Sequence, residues 1–186
     1  GIKLSKGDYI GFLNSDDYIV PGALKSIIAT ARFAKKQKYE ICTGNTALFS
    51  ENDKKIVNQL GLINFGLRIL SRHNPIAHPS TLVSLDLIKA FDGFNESIKI
   101  SSDYDFFVRV LKNENFKVLA SNRQWVLMQT NGASNQYQSR HAFFEIEREL
   151  FFIQLTHFGL RSAITSIIFR FISHFKYFIC NLLNVF

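Results

Sequence analysis

Apolar residues in this chain come in short runs separated by polar turns, and the runs alternate between strand-like and helix-like spacing. The stretch Asp8-Tyr9-Ile10-Gly11-Phe12-Leu13 reads as a short buried strand, entered from the turn Lys6-Gly7 and ending at Asn14-Ser15-Asp16-Asp17. Pro21 stands near the start of a helix through residues 23–31, where apolar side chains recur at helical spacing. A strand over residues 39–45 runs on through Thr46-Ala47-Leu48-Phe49, and the polar turn Asn52-Asp53-Lys54-Lys55 makes 41–49 and 56–60 a hairpin-like pair. Two prolines hold residues 74–80 as a loop before the buried strand Thr81-Leu82-Val83. A short helix over 85–91 stops at Asp92-Gly93, Asn95-Glu96-Ser97 forms a turn, and Ser101-Ser102 caps a helix through residues 106–111. Residues 116–120 and 125–129 read as two strands, 130–134 as a Gly-containing loop, and 141 to about 178 mostly as helix. Strands alternating with helices predict an α/β layer fold with a mixed sheet.

Composition narrows the picture. The chain has 186 residues, enough for one domain with a real core and too few for two ordinary ones. An apolar share of 47% with 20% charged residues describes a globular chain and excludes an intrinsically disordered one. Cys42 and Cys180 have no CxxC or His partner spacing and read as reduced, buried, structural residues. The net charge of +7 invites an anionic partner. After Glu149 there is no acidic residue, whereas Arg161, Arg170 and Lys176 fall among long apolar runs. That pattern favours a membrane surface over nucleic acid, since no basic cluster sits on a nucleic-acid motif. No uncharged run reaches the ~18 residues of a spanning helix, so the tail reads as helices lying in a membrane interface. A helix covering the core is the other reading.

The candidate chemistry begins at Leu13-Asn14-Ser15-Asp16-Asp17. In open α/β sheets ligands bind beyond the carboxyl ends of strands, and a hard divalent cation there can bridge a carboxylate to a diphosphate. The same residues are also good turn and capping chemistry. The wider stretch, Lys6 to Asp17 followed by Pro21-Gly22-Ala23-Leu24, resembles the DxD region of GT-A glycosyltransferases of family 2. Asn14 replaces that family's usual first Asp, so the resemblance puts the metal-binding role chiefly on Asp16, with Asp17 and Asn14 in support.

A second segment, Phe94-Asn95-Glu96-Ser97-Ile98-Lys99-Ile100-Ser101-Ser102-Asp103-Tyr104-Asp105-Phe106, resembles the same family's base-bearing signature. By that resemblance Asp103 is the catalytic base and Asp105 the second carboxylate, on the substrate side or structural; Ser102 departs from the commoner Glu. Read alone, both acids simply suit the first turn of a helix. His78, in His78-Pro79-Ser80, matches a substrate-contacting slot. Thr130-Asn131-Gly132-Ala133-Ser134 looks like a diphosphate loop in which Gly132 allows close backbone approach and Ser134 donates to phosphate.

The resemblance runs from Lys3 to about Ser134. It implies a GT-A-like, Rossmann-related mixed sheet with flanking helices, lacking the first nucleotide-binding units ahead of Gly1, plus amphipathic carboxy-terminal helices. Residues 1–140 are then a partial catalytic domain and 141–186 a helical, membrane-interfacial segment. The implied activity is inverting transfer of a sugar from a nucleotide-sugar donor to a saccharide or lipid-linked acceptor in cell-surface polysaccharide biosynthesis. Mn²⁺ or Mg²⁺ is the implied cofactor, an anionic membrane surface the further partner, and the cytoplasm or the inner face of the membrane the location. The competing expectation is a non-catalytic, membrane-associated module that keeps the sheet without the donor pocket.

Overall fold

The computed structural model describes residues 1–50, 55–60, 67–113, 117–129 and 140–183. Among these residues six strands form one mixed sheet: β1 (Tyr9–Gly11), β2 (Tyr18–Ile19), β3 (Ile41–Ser50), β4 (Lys55–Leu60), β5 (Thr81–Ser84) and β6 (Val118–Gln129). Their order is β1-β5-β3-β6-β2, with β4 on the outer half of β3 beside β5. The central pair β3–β6 is parallel and every other pair antiparallel. Among the described residues six α-helices accompany the sheet: α1 (Ala23–Gln37), α2 (Leu67–Leu70), α3 (Leu85–Ala90), α4 (Ser102–Leu111), α5 (Arg140–Phe158) and α6 (Leu160–Leu183).

The period of two along the strands divides the core into two layers. Ile41 pairs with Val83 and points into one layer, with Leu87, Ile88, Tyr104, Phe106 and Val110 of α3 and α4 and Ile153 of α5. The next pair, Cys42 and Leu82, points the other way, onto Ala34 and Ala31 of α1 and onto Trp125. Burial pushes the Cys42 thiol up to about 12, which leaves it an inert apolar filler. Cys180 lies in α6, its side chain outside the described residues.

Local chemistry sets the element ends. The Ser84 side chain accepts the Leu87 amide and starts α3, and α3 ends at Asp92 and Gly93, both with positive φ. Gly159, at φ +83°, divides the tail into α5 and α6. The cap expected from Ser101-Ser102 is not made: Ser101 occupies the N-cap position of α4 without a side-chain bond, and its own amide donates to a carboxylate of α5.

The two strands expected over 116–120 and 125–129 are one continuous strand, β6. Its polar stretch Ser121-Asn122-Arg123-Gln124 is absorbed by bulges opposite Gly44, where the register jumps from Thr43↔Ala120 to Asn45↔Gln124 and then to Thr46↔Val126. Trp125 crosses Gly44 at this irregularity, and its indole N–H donates to Ser26 Oγ at 3.3 Å. A Cβ on residue 44 would sit 2.3 Å from the Trp125 ring. Gly44→Ala is therefore expected to destabilise the fold by about 1–3 kcal/mol through overpacking, read as a lower urea midpoint. An unchanged midpoint would show that Trp125 does not need that contact.

Candidate active site

Beyond the carboxyl end of β1 the chain turns sharply. The Asp17 amide donates to the Asn14 carbonyl at 3.1 Å, and the Asn14 side-chain amide donates to Asp17 Oδ2 at 2.9 Å. Asp17 Oδ1 accepts the Gln129 amide at 3.2 Å, fastening the turn to the last residue of β6. Asp17 is 6% exposed with both oxygens engaged, so its work in this structure is to lock the turn. Burial pushes its carboxyl above the usual carboxylate range and Asp16 next door adds to the rise, against the Gln129 and Asn14 hydrogen bonds and the positive field of His78. Asp16 is less buried and faces the cavity.

The opposite wall comes from the start of α4. Asp103 Oδ2 accepts from Asn74 Nδ2 at 3.0 Å and from His78 Nδ1 at 3.2 Å. A carboxylate only accepts, so the His78 proton lies on Nδ1 in this contact. His78 is fixed in turn by a buried hydroxyl network: Thr81 Oγ1 donates to Thr43 Oγ1 at 2.9 Å, Ser80 Oγ to the Gly44 carbonyl at 2.9 Å, and Thr46 Oγ1 to Ser80 Oγ at 2.8 Å. These bonds pin the 3₁₀ turn His78–Ser80 onto β3.

The two walls enclose one cavity of about 430 Å³, lined by Asn14, Asp16, Asp17, His78, Ser102 and Asp103 among others, with the exposed Lys99 at its edge. Four of the sequence-expected site residues thus share a cavity with Asp103. Asp105 does not join them. It is 4% exposed, ion-paired with Arg109 Nε at 2.8 Å and hydrogen-bonded to His157 Nε2 at 3.1 Å. Arg109 continues to the carbonyls of Phe91 and Gly93, both at 2.6 Å. Asp105 therefore ties α4 to the end of α3 and to α5; one residue of helix beyond Tyr104 turns its side chain away from the cavity. Gly132 and Ser134 lie outside the described residues.

Three participants had escaped sequence reasoning. Asn74 sits in the proline-held loop with nothing in its neighbours to mark it. Lys99 lies in the base-bearing segment without having been assigned a part. Glu149 is the last acid of the chain, and its carboxylate accepts the backbone amides of Lys99 (2.9 Å), Ile100 (3.0 Å) and Ser101 (2.9 Å). It fixes the loop that delivers Asp103.

Among the described residues no group of three or more His, Cys, Asp or Glu could hold a metal ion alone. The donor set that faces the cavity, the Asp16 carboxylate and the Asn14 side-chain carbonyl, suits a hard cation that takes its remaining ligands from phosphate and water.

No family model matches the chain. In sequence it is similar to chondroitin synthase of Pasteurella multocida (strain Pm70), 29% identical over 118 residues, which is 63% of this chain and 12% of the synthase. It is also similar to poly(ribitol-phosphate) beta-glucosyltransferase of Bacillus spizizenii (strain ATCC 23059 / NRRL B-14472 / W23), 28% identical over 132 residues, 60% of this chain and 20% of that relative. In structure it is similar to S. aureus TarS 1-349, with a TM-score of 0.52 at 19% identity over 90% of this chain and 48% of that one. TarS 1-349 in complex with UDP-GlcNAc gives a TM-score of 0.51 at 20% identity, over 84% of this chain and 45% of that one. The chain therefore spans 12–20% of the length of these curated relatives and just under half of these solved chains. The expected mixed α/β fold is borne out, and so is the resemblance to GT-A glycosyltransferases.

Glu149→Ala leaves three amides without their acceptor. It is expected to cost about 1–3 kcal/mol of stability and to speed hydrogen exchange at residues 99–101. Unchanged protection there would show that the carboxylate does not hold the loop.

Proposed function

We propose that this chain carries the catalytic face of an inverting glycosyltransferase acting in cell-surface polysaccharide biosynthesis, with a nucleotide-diphosphate sugar as donor and a saccharide or lipid-linked hydroxyl as acceptor. One observation carries the reading. The Asp103 carboxylate, held by two donors, shares a cavity with the Asp16 and Asn14 oxygens of the turn beyond β1. Similarity to two glycosyltransferases, and to the fold of a protein solved with UDP-GlcNAc, supports it.

Asn74 and His78 both bind Oδ2 of Asp103, which leaves Oδ1 to meet an acceptor hydroxyl. In the step proposed, the hydroxyl proton passes to Asp103 and the acceptor oxygen bonds to the anomeric carbon. The bond from that carbon to the diphosphate oxygen breaks, and its electron pair leaves on the diphosphate. Substitution from the opposite face inverts the centre. Lys99, at the cavity edge, supplies fixed positive charge toward the departing group. Mn²⁺ or Mg²⁺, held by Asp16 with the Asn14 carbonyl, would when bound offset charge on the same diphosphate. His78 acts here through Asp103, in addition to facing the substrate cavity.

Asp103→Asn is expected to lower donor-dependent transfer by about 10²–10⁴-fold while leaving the Mn²⁺-dependent affinity for UDP within about threefold. Transfer undiminished in that variant would remove Asp103 as the base. The second reading, a binding module without catalysis, draws on Asn14 standing where the family usually has Asp. It predicts no metal-dependent UDP binding by calorimetry in the parent chain.

The tail reading also extends to location. Among the described residues no helix is long and apolar enough to cross a membrane. On α6, however, Leu160, Ile164, Ile168 and Ile172 recur at every fourth residue, each at least 44% exposed, with Phe152 of α5 also open to solvent. Such a stripe, on a segment free of acids after Glu149, suits an anionic membrane surface on the cytoplasmic side. The full chain should co-sediment with phosphatidylglycerol vesicles far better than with phosphatidylcholine vesicles, in a salt-dependent manner. Ile164→Glu with Ile168→Glu should abolish this, and equal sedimentation with both lipids would overturn the idea.

A further inference from the structure

A second cavity, about 280 Å³, lies against Asp103 on the side of the carboxy-terminal helices. Asp103, His78, Ile100 and Met128 line both cavities, so the carboxylate stands in the wall they share. The two spaces differ in chemistry. The first has Asp16, Asp17 and Lys99 around it, whereas the second is walled chiefly by Ile76, Ala77, Ile100, Ile146 and Leu150. Ile146 and Leu150 come from α5, which places the tail helices at the site itself.

Arg170 of α6 reaches this second cavity, but its charge is already engaged. It is 8% exposed and paired with the buried Glu147 at 2.8 Å; Nη1 donates to Ser166 Oγ, at 2.5 Å, and to Gln154 Oε1 and the Arg72 carbonyl, both at 3.3 Å. His73, also in the lining, is held toward its neutral form by burial, then by Arg72 and Arg170. An anionic group placed here would give up its hydration against apolar walls and find Arg170 already answered by Glu147.

We propose that this cavity is the acceptor subsite, taking one uncharged sugar ring with its C–H face against the half-buried Ala77, Met128 and Leu150 and a hydroxyl turned to Asp103. The proposal rests on the glycosyl-transfer reading above. Its size suits a single ring: ligand pockets generally run from about 300 to 1,000 Å³, and this one, at about 280 Å³, falls just below that range. A polyanionic repeat would have to keep its charged groups outside it.

Saturation-transfer NMR on the full chain tests this with methyl β-D-glucopyranoside and glucose 6-phosphate as probes at equal concentration. Transfer should reach the ring C–H protons of the glucoside and be at least tenfold weaker for the phosphate. Two filling variants at half-buried positions, Ala77→Phe and Leu150→Trp, should each abolish the glucoside signal, while calorimetric affinity for UDP with Mn²⁺ stays within about twofold. Absence of transfer to the glucoside in the parent overturns the proposal. So does transfer that survives both variants, or stronger binding of the phosphate. UDP affinity lost in both variants would assign the cavity to the donor and also overturn it. A parent that binds the glucoside in this cavity yet never binds UDP would sink the glycosyl-transfer reading while sustaining the sugar subsite.

Discussion

The position of the Asp103 carboxylate depends on Glu149, forty-six residues further along the chain, on a different helix. Three successive amides, those of Lys99, Ile100 and Ser101, converge on that one side chain, at the point where the loop becomes α4. Loops seldom hold a reacting group to a fraction of an ångström unless their backbone donors are all committed. Here the commitment comes from α5 rather than from a serine cap, and a charged acceptor makes each of the bonds stronger than a neutral one would. Asp105, Arg109 and His157 reinforce the same junction two residues further on. The tail helices are thus part of the frame of the site.

The other wall is held by different means. Asp17 joins the turn beyond β1 to the end of β6, so the oxygens of Asp16 and Asn14 are presented from a backbone braced across the sheet. His78 is braced by hydroxyls: Thr43, Thr46, Ser80 and Thr81 are all buried and bonded to one another or to main-chain carbonyls. Unsatisfied, such groups would each be costly to bury; fully satisfied, they fix one arrangement. Both walls therefore rest on polar networks within an apolar sheet, and neither relies on packing alone.

Much of this was legible in the chain and some of it was not, for reasons that can be named. The layers were legible because Ile41-Cys42 and Leu82-Val83 follow strand periodicity, and α3 because a Ser cap precedes it and Asp92-Gly93 closes it. Asp16 and Asp103 were singled out because two local signatures occur in order, and both residues line one cavity. Of the two readings of Asp105, its bonds to Arg109 and His157 favour the structural one, because two residues along a helix turn a side chain by about 200° from that of Asp103. Glu149 was invisible because its partners are backbone amides about fifty residues earlier, and amides carry no sequence identity. The polar run at 121–124 looked like a break because bulges obey pairing across the sheet, not propensity along the strand.

Arg170 shows how charge read along a sequence can mislead. Among apolar neighbours and beyond the last acid, it looked available to an external anion. In space it meets Glu147, twenty-three residues earlier and one turn of helix before the residue pair 150–151, and the two neutralise each other beneath the site. Breaking either partner would leave an uncompensated buried charge, so this pair is costly to alter although it adds little net stability. Its consequence for function is a distinction between the two sides of Asp103. The side of Asp16 and Lys99 keeps charges that face open space, three carboxylates to one lysine, and would suit a diphosphate once a divalent cation is held there. The side of Ile146 and Leu150 has its cation answered from within and suits a neutral ring. A base set in the wall between such spaces would meet its two substrates from opposite directions, each selected by the electrostatics of its own side.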